Sequence, residues 1–382
     1  MDYSYLLAPL IFLFFFLTAT TLSKLNFLPH LNENKQRYDY LDGLRGIAAI
    51  LVVCAHSWRF RDIVFTNELV TKASYSYMEK MGAVGVQLFF CITGFLFFEK
   101  IFKYGLNQDW RHFYLSRIKR LAPLFFVFCF LVILIGIYQE GVSLLDKKSI
   151  TSAVKLMSFG FLGTKFDIGE YNSGYMTPIL WTLPYEWRFY IAVPFLAAMC
   201  SNRSSMISLV FTVIFIYSAI SLTDSFNVWA FFFSGGAVAF LLKNKKTTEN
   251  VFFSIMFYIT LVVIVISLFR WSFDNYGVMR LITTSCLFFF AMYAKPLPLR
   301  SRGAVYLGEI SYGIYLFHIL VIYVYSSALK EWVINIESSA FMCFSTVLIY
   351  VILTCVFCSL TFKYIEHPFM KIKITNSLKP QC

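Results

Sequence analysis

Apolar positions along this chain fall in continuous runs, with short polar connections between them. Most runs approach the ~20 residues that a helix needs to cross a bilayer. The pattern predicts eleven spans, at residues 5–22, 43–58, 83–98, 121–138, 184–200, 205–222, 227–242, 251–269, 280–294, 306–326 and 340–362. Several begin or end on Tyr or Trp, as expected at headgroup level. The runs do not alternate with period two, which argues against a membrane β-barrel. The second, third and fifth are short and carry polar residues, so they are expected to line a protein interior.

Composition sharpens this picture. Of 382 residues, 59% are hydrophobic and 14% charged, against about 45–50% and about 25% in soluble domains. Forty-four Phe and 24 Tyr exceed what one soluble core of this length can hide. The expected fold class is an all-α polytopic integral membrane protein. The first run lacks the basic lead of a signal peptide: Asp2 precedes it and Lys24 follows it. It is therefore expected to stay as a helix with its N-terminus outside.

The net charge of +12 does not imply nucleic acid, because the basic residues lie between apolar runs and form no groove-lining cluster. They carry topology instead. One alternating set of connections holds 21 Lys and Arg, the other 12. The richer set belongs in the cytoplasm, which puts the C-terminus inside. Residues 99–120 then read as a strongly basic cytoplasmic connection, and 139–183 as the longest external one. Nine Cys sit mostly in apolar runs and behave as small apolar residues. Cys355 and Cys358 form a C-x-x-C with no second pair at zinc spacing, so no metal is expected.

Polar residues within spans are few, and each is a candidate for function. Tyr40-Leu41-Asp42-Gly43-Leu44-Arg45-Gly46 leads into Cys54-Ala55-His56. Arg45 and His56, eleven residues apart, project from nearly one helix face with a rise near 16 Å. Asp42 is one turn from Arg45, at pairing distance. Arg45 alone suits an interfacial anchor; His56 suits either a satisfied buried imidazole or a proton-transfer group. Gln87, Thr93 and Gly94 suggest a polar lining or a small-residue packing seam. Arg117 and Arg120 lie one turn apart and suit a polyanion, or else anionic lipid. Trp181, Tyr185, Glu186 and Arg188 form a possible site rim, or an aromatic belt with an external ion pair. Ser311, Tyr315 and His318 make a polar stripe on an otherwise apolar span.

Together these segments resemble the acyltransferase 3 family of membrane-bound acyltransferases. Residues 40–49 with His56 resemble its opening signature. Residues 85–96 resemble G-V-x-x-F-F-x-x-S-G-F, with Thr93 keeping the hydroxyl of the usual Ser. Residues 113–123 resemble F-x-x-R-x-x-R-x-x-P, and 181–190 resemble W-[ST]-L-x-x-E-x-x-F-Y. Residues 307–318 resemble L-G-x-[IL]-S-Y-x-x-Y-L-x-H, and 365–369 resemble [IV]-E-x-P-F. The resemblance implies a ten-helix core at 38–370, an extra helix and cytoplasmic linker at 1–37, and a cytoplasmic tail at 371–382. It implies transfer of acetyl from cytoplasmic acetyl-CoA to a hydroxyl of a cell-surface or lipid-linked glycan, of O-antigen, lipopolysaccharide or capsule type. Its Arg-x10-His signature maps onto Arg45 and His56 as catalytic residues; beside them Asp42 is expected to hold Arg45, and Glu186 to position the acceptor or orient His56. Its CoA-phosphate residues map onto Arg117 and Arg120, with Lys119 beside them, and the acceptor rim onto Trp181, Tyr185 and Arg188. It implies the bacterial inner membrane, with lipid, acyl-CoA and glycan as partners. Two rivals stay open: an acetyltransferase acting on a small or lipid-linked acceptor at the cytoplasmic face, and a non-enzymatic glycolipid transporter.

Overall fold

A computed structural model describes residues 4–31, 38–57, 72–200, 217, 226–243, 251–271, 273–333 and 340–372. Thirteen helices follow one another among them. They are α1 (Ser4–Lys24), α2 (Asp39–His56), α3 (Lys72–Tyr104), α4 (Trp110–Glu140), α5 (Lys147–Leu156), α6 (Leu183–Met199) and α7 (Phe226–Leu242). Then come α8 (Val251–Arg270), α9 (Val278–Ala294), α10 (Arg302–Glu309), α11 (Ser311–Val333), α12 (Ala340–Thr361) and α13 (His367–Lys371). Six helices are long and apolar enough to cross a membrane, and α7 and α9 hold shorter apolar stretches. The protein is an all-α polytopic membrane protein. Large apolar side chains such as Leu13, Leu17, Phe130 and Val262 stand exposed on α1, α4 and α8, where lipid instead of water would cover them.

Three sequence expectations are revised. The connection read at 99–120 is mostly helix: α3 runs on to Tyr104, and α4 starts at Trp110 with Asp109 as its cap. Arg111 to Arg120 therefore ride on the opening turns of α4. The third span is not short, since α3 has 33 residues and much of its apolar length is buried. The run at 306–326 is two helices that break at Ile310, whose φ of −89° and ψ of 8° leave helical geometry. Ser311 Oγ donates to the Gly308 carbonyl at 2.8 Å beside that break. Such a local bond competes with the helix ladder and bends it. The span at 205–222 lies outside the described residues, apart from Tyr217.

Glycines bring the central helices together. A Cβ at Gly94 would lie 2.0 Å from the Phe232 carbonyl oxygen, and one at Gly235 would lie 1.9 Å from that of Cys91. Helices α3 and α7 thus cross in backbone contact, as small residues allow in membranes. A Cβ at Gly308 would lie 2.0 Å from the Asp42 carbonyl oxygen, so α10 presses equally close on the start of α2. That contact fixes the turn that carries Arg45.

The segment between α4 and α6 is folded. Asp146 caps α5, accepting from the Ser149 N–H and from its hydroxyl, each at 2.7 Å. A two-residue ladder pairs Asp167–Ile168 with Tyr171–Asn172 across the turn at Gly169, where φ is +53°. A 3-10 turn at Pro178–Thr182 then leads into α6.

Candidate functional site

Two adjoining cavities share walls from α2, α3 and α11. The first, about 110 Å³, is lined by Arg45 of α2, Arg117 and Arg120 of α4, Glu186 and Tyr190 of α6, and Tyr315 of α11, among others. Three guanidinium groups thus face one carboxylate. Arg45 Nη1 stands 3.7 Å from Asp42 Oδ1. The Arg117 guanidinium lies over the Phe97 ring at 5.5 Å, a cation–π contact, and its buried Nε lacks a hydrogen-bond partner among the described residues. Glu186 accepts a hydrogen bond from the Tyr190 hydroxyl. The excess positive charge and the partnerless Nε suit an anion with several oxygens, such as a phosphate. Thr93, Ser311 and Tyr312 complete the polar part of the wall.

The second cavity, about 340 Å³, is lined by His56, Glu79, Trp181, Asn275, Tyr276 and Tyr315, with smaller apolar neighbours. Trp181 meets Tyr276 edge to face at 5.7 Å and 85°. Asn275 is tied to the wall, because its carbonyl accepts from Gln87 Nε2 at 2.5 Å and Gln87 Oε1 accepts from Thr284 at 2.7 Å. Gln87 is therefore a buried strut between α3 and α9, not a lining group. This cavity combines an imidazole, a carboxylate, a carboxamide and flat aromatic rings. That set can bind a polyhydroxylated molecule and deprotonate one of its hydroxyls.

Val86 and Tyr315 line both cavities and form their common wall. The Tyr315 hydroxyl is pinned between Thr182 Oγ1 at 2.7 Å and the Ile179 carbonyl at 2.8 Å. Arg45 and His56 belong to opposite cavities although both ride on α2. The roughly 16 Å rise between them gives them separate tasks.

The remaining sequence candidates divide. Arg45, Arg117, Arg120 and Glu186 converge on the first cavity, and His56 and Trp181 on the second. Glu186 faces the arginines, not His56. Lys119 instead donates to the Ile372 carbonyl at 2.7 Å, joining α4 to the end of α13. Arg188 lies over the Phe161 ring at 5.7 Å, and Tyr185 packs on Trp181; neither is among the residues that line these two cavities. The polar stripe on α11 does face inward: Ser311 and Tyr315 line the first cavity, and the His318 ring lies 5.2 Å from that of His56. Glu79, Asn275 and Tyr276 escaped the sequence reading, because a lone carboxylate early in α3 and a polar pair in the turn before α9 resemble ordinary interfacial residues. No group of His, Cys, Asp and Glu among the described residues could hold a metal.

The chain is 23% identical over 311 residues to "Putative acetyltransferase ORF330" of Acidianus two-tailed virus, which spans 77% of this chain and 86% of the relative. It is 26% identical over 172 residues to "Putative peptidoglycan O-acetyltransferase YrhL" of Bacillus subtilis (strain 168), 43% of this chain but 24% of that longer relative. No solved structure matches. The profile of the acyltransferase 3 family, described as "Acyltransferase domain", matches residues 38–363. The chain therefore belongs to this family and is a membrane acyltransferase, which sets the transporter reading aside.

Proposed function

We propose that the protein transfers an acetyl group from cytoplasmic acetyl-CoA to a hydroxyl of a cell-surface or lipid-linked glycan. One observation carries this reading: an arginine-lined cavity and a His56-lined cavity stand back to back with Tyr315 between them. Arg117 and Arg120 would hold the phosphates of the donor, with Arg45, braced by Asp42, below the wall. The donor's thioester end would reach past Tyr315 toward His56. The acceptor would sit on Trp181 and Tyr276, with Glu79 and Asn275 offering hydrogen-bond partners. His56 takes the proton of the acceptor hydroxyl as its oxygen bonds to the thioester carbonyl carbon. The C–S bond breaks, and the leaving thiolate receives the proton. A placed base of this kind contributes ~10²–10⁴-fold.

The excess of Lys and Arg in one set of connections supports a cytoplasmic arginine cavity, an external His56 cavity and residence in the inner membrane of a bacterium. The printed name of the Bacillus subtilis relative supports a glycan acceptor. Mass spectrometry of surface polysaccharide tests the reading, using cells with the intact gene, the deletion and His56→Ala. A sugar heavier by one acetyl group only with the intact gene is expected. Equal masses in all three strains would overturn it.

A further inference from the structure

His318 is fully buried one helix away from His56. Its Nδ1 lies 2.9 Å from the Ile314 carbonyl and 2.8 Å from the Tyr315 carbonyl, both on its own helix. A carbonyl only accepts, so Nδ1 carries the proton, and in the neutral ring Nε2 is the acceptor. The backbone of α11 thus selects one tautomer of a buried imidazole.

The two rings lie 5.2 Å apart between centroids, tilted by 36°. Two imidazoles joined by an in-line N–H···N bond stand about 5.2 Å apart, with roughly 2.9 Å between nitrogens and about 1.1 Å from each ring centre. The observed spacing therefore allows the two rings to share such a bond. His56 thus lines the second cavity and also neighbours His318.

We propose that His318 is a positioning residue for His56: its Nε2 takes the His56 ring N–H, which leaves the lone pair of the other nitrogen directed into the cavity. The nitrogen that can act as base is set by the bond the other one makes. The carboxylate of a Ser-His-Asp triad does this for its imidazole; here a second, tautomer-locked imidazole does it without placing another charge at membrane depth. The inference rests on the reading of His56 as base.

The test uses the purified full-length protein with acetyl-CoA and the acceptor found by mass spectrometry. His318→Phe removes the acceptor atom, whereas His318→Gln supplies a carboxamide oxygen. The Nδ1 bonds to Ile314 and Tyr315 run to carbonyls of the same helix, so melting in detergent should stay near wild type. His318→Phe is expected to lower kcat by ~10²-fold or more with both KM values unchanged, and His318→Gln to recover most of it. In the His56→Ala background, His318→Phe should cost nothing further. Equal losses in Phe and Gln, a change confined to KM, or an additive double variant would overturn the positioning role. Wild-type activity in His56→Ala alone would instead remove the base reading beneath it.

Discussion

Replacing Arg117 or Arg120 by Gln probes the donor half of the account. Each side chain reaches the first cavity from the start of α4, and a charge-assisted hydrogen bond to phosphate is worth about 1.5–3 kcal/mol. That corresponds to a ~10–150-fold loss in kcat/KM for acetyl-CoA. The fold should not suffer. Arg120 repels Arg45 and Arg117 but attracts Glu186 and Glu366, so these effects oppose one another and melting in detergent should stay near wild type. The assay compares acetyl-CoA with S-acetylpantetheine, which carries the same thioester on a chain without the nucleotide phosphates. Wild type should prefer acetyl-CoA strongly, and the variants should lose that preference while using S-acetylpantetheine as wild type does. This is a cycle between residue and ligand group, so general damage cancels. An equal loss for both donors, or a loss that tracks melting, would refute the phosphate role.

Three further outcomes follow from the geometry. Tyr315→Ala should join the cavities and let water reach the thioester, so that acetyl-CoA is hydrolysed without acceptor; a variant with no such hydrolysis would show that Tyr315 is not the wall. Gly235→Val forces a side chain against the Cys91 carbonyl; overpacking of this kind costs about 1–3 kcal/mol, so melting temperature and activity should fall together, and wild-type melting would contradict the backbone contact of α3 and α7. The two bonds from Ser149 hold the fully exposed Asp146 carboxyl below the ordinary carboxylate range. A lowered carboxyl stabilises above its unfolded value and stops doing so as pH falls through the folded one. Proteolysis of the 139–166 segment should therefore rise in acid for wild type, stay independent of pH for Asp146→Asn, and be fast at every pH for Asp146→Ala.

How far the sequence reveals this protein depends on the length scale. Six of the eleven expected spans coincide with helices, among the described residues, that are long and apolar enough to cross a membrane, because a bilayer fixes that length. Arg45 and His56 were legible as residues of one helix face, since eleven residues make close to whole turns. The break at Ile310 was not, because Gly308 and Ser311 sit inside an unbroken apolar run and the Ser311 bond to the Gly308 carbonyl is visible only in the fold. Arg117 and Arg120 read equally well as lipid anchors; the turn of α4 that aims them inward is a packing outcome. Lys119, between them, points elsewhere for the same helical reason. Glu79 on α3 and the adjacent pair Asn275-Tyr276 before α9 are far apart in sequence, and no local pattern records that they meet. The hydroxyl of Tyr315 was visible as part of a stripe, but its place between two cavities depends on Thr182 and Ile179 from another segment.

The most direct test of the two-cavity account is sidedness. The purified protein is placed in vesicles with acetyl-CoA sealed on one side and the acceptor supplied on the same or the opposite side. The account predicts acetylated acceptor when the two substrates lie across the membrane from each other, and none from His56→Ala. Acetylation that requires both substrates on one side would contradict it.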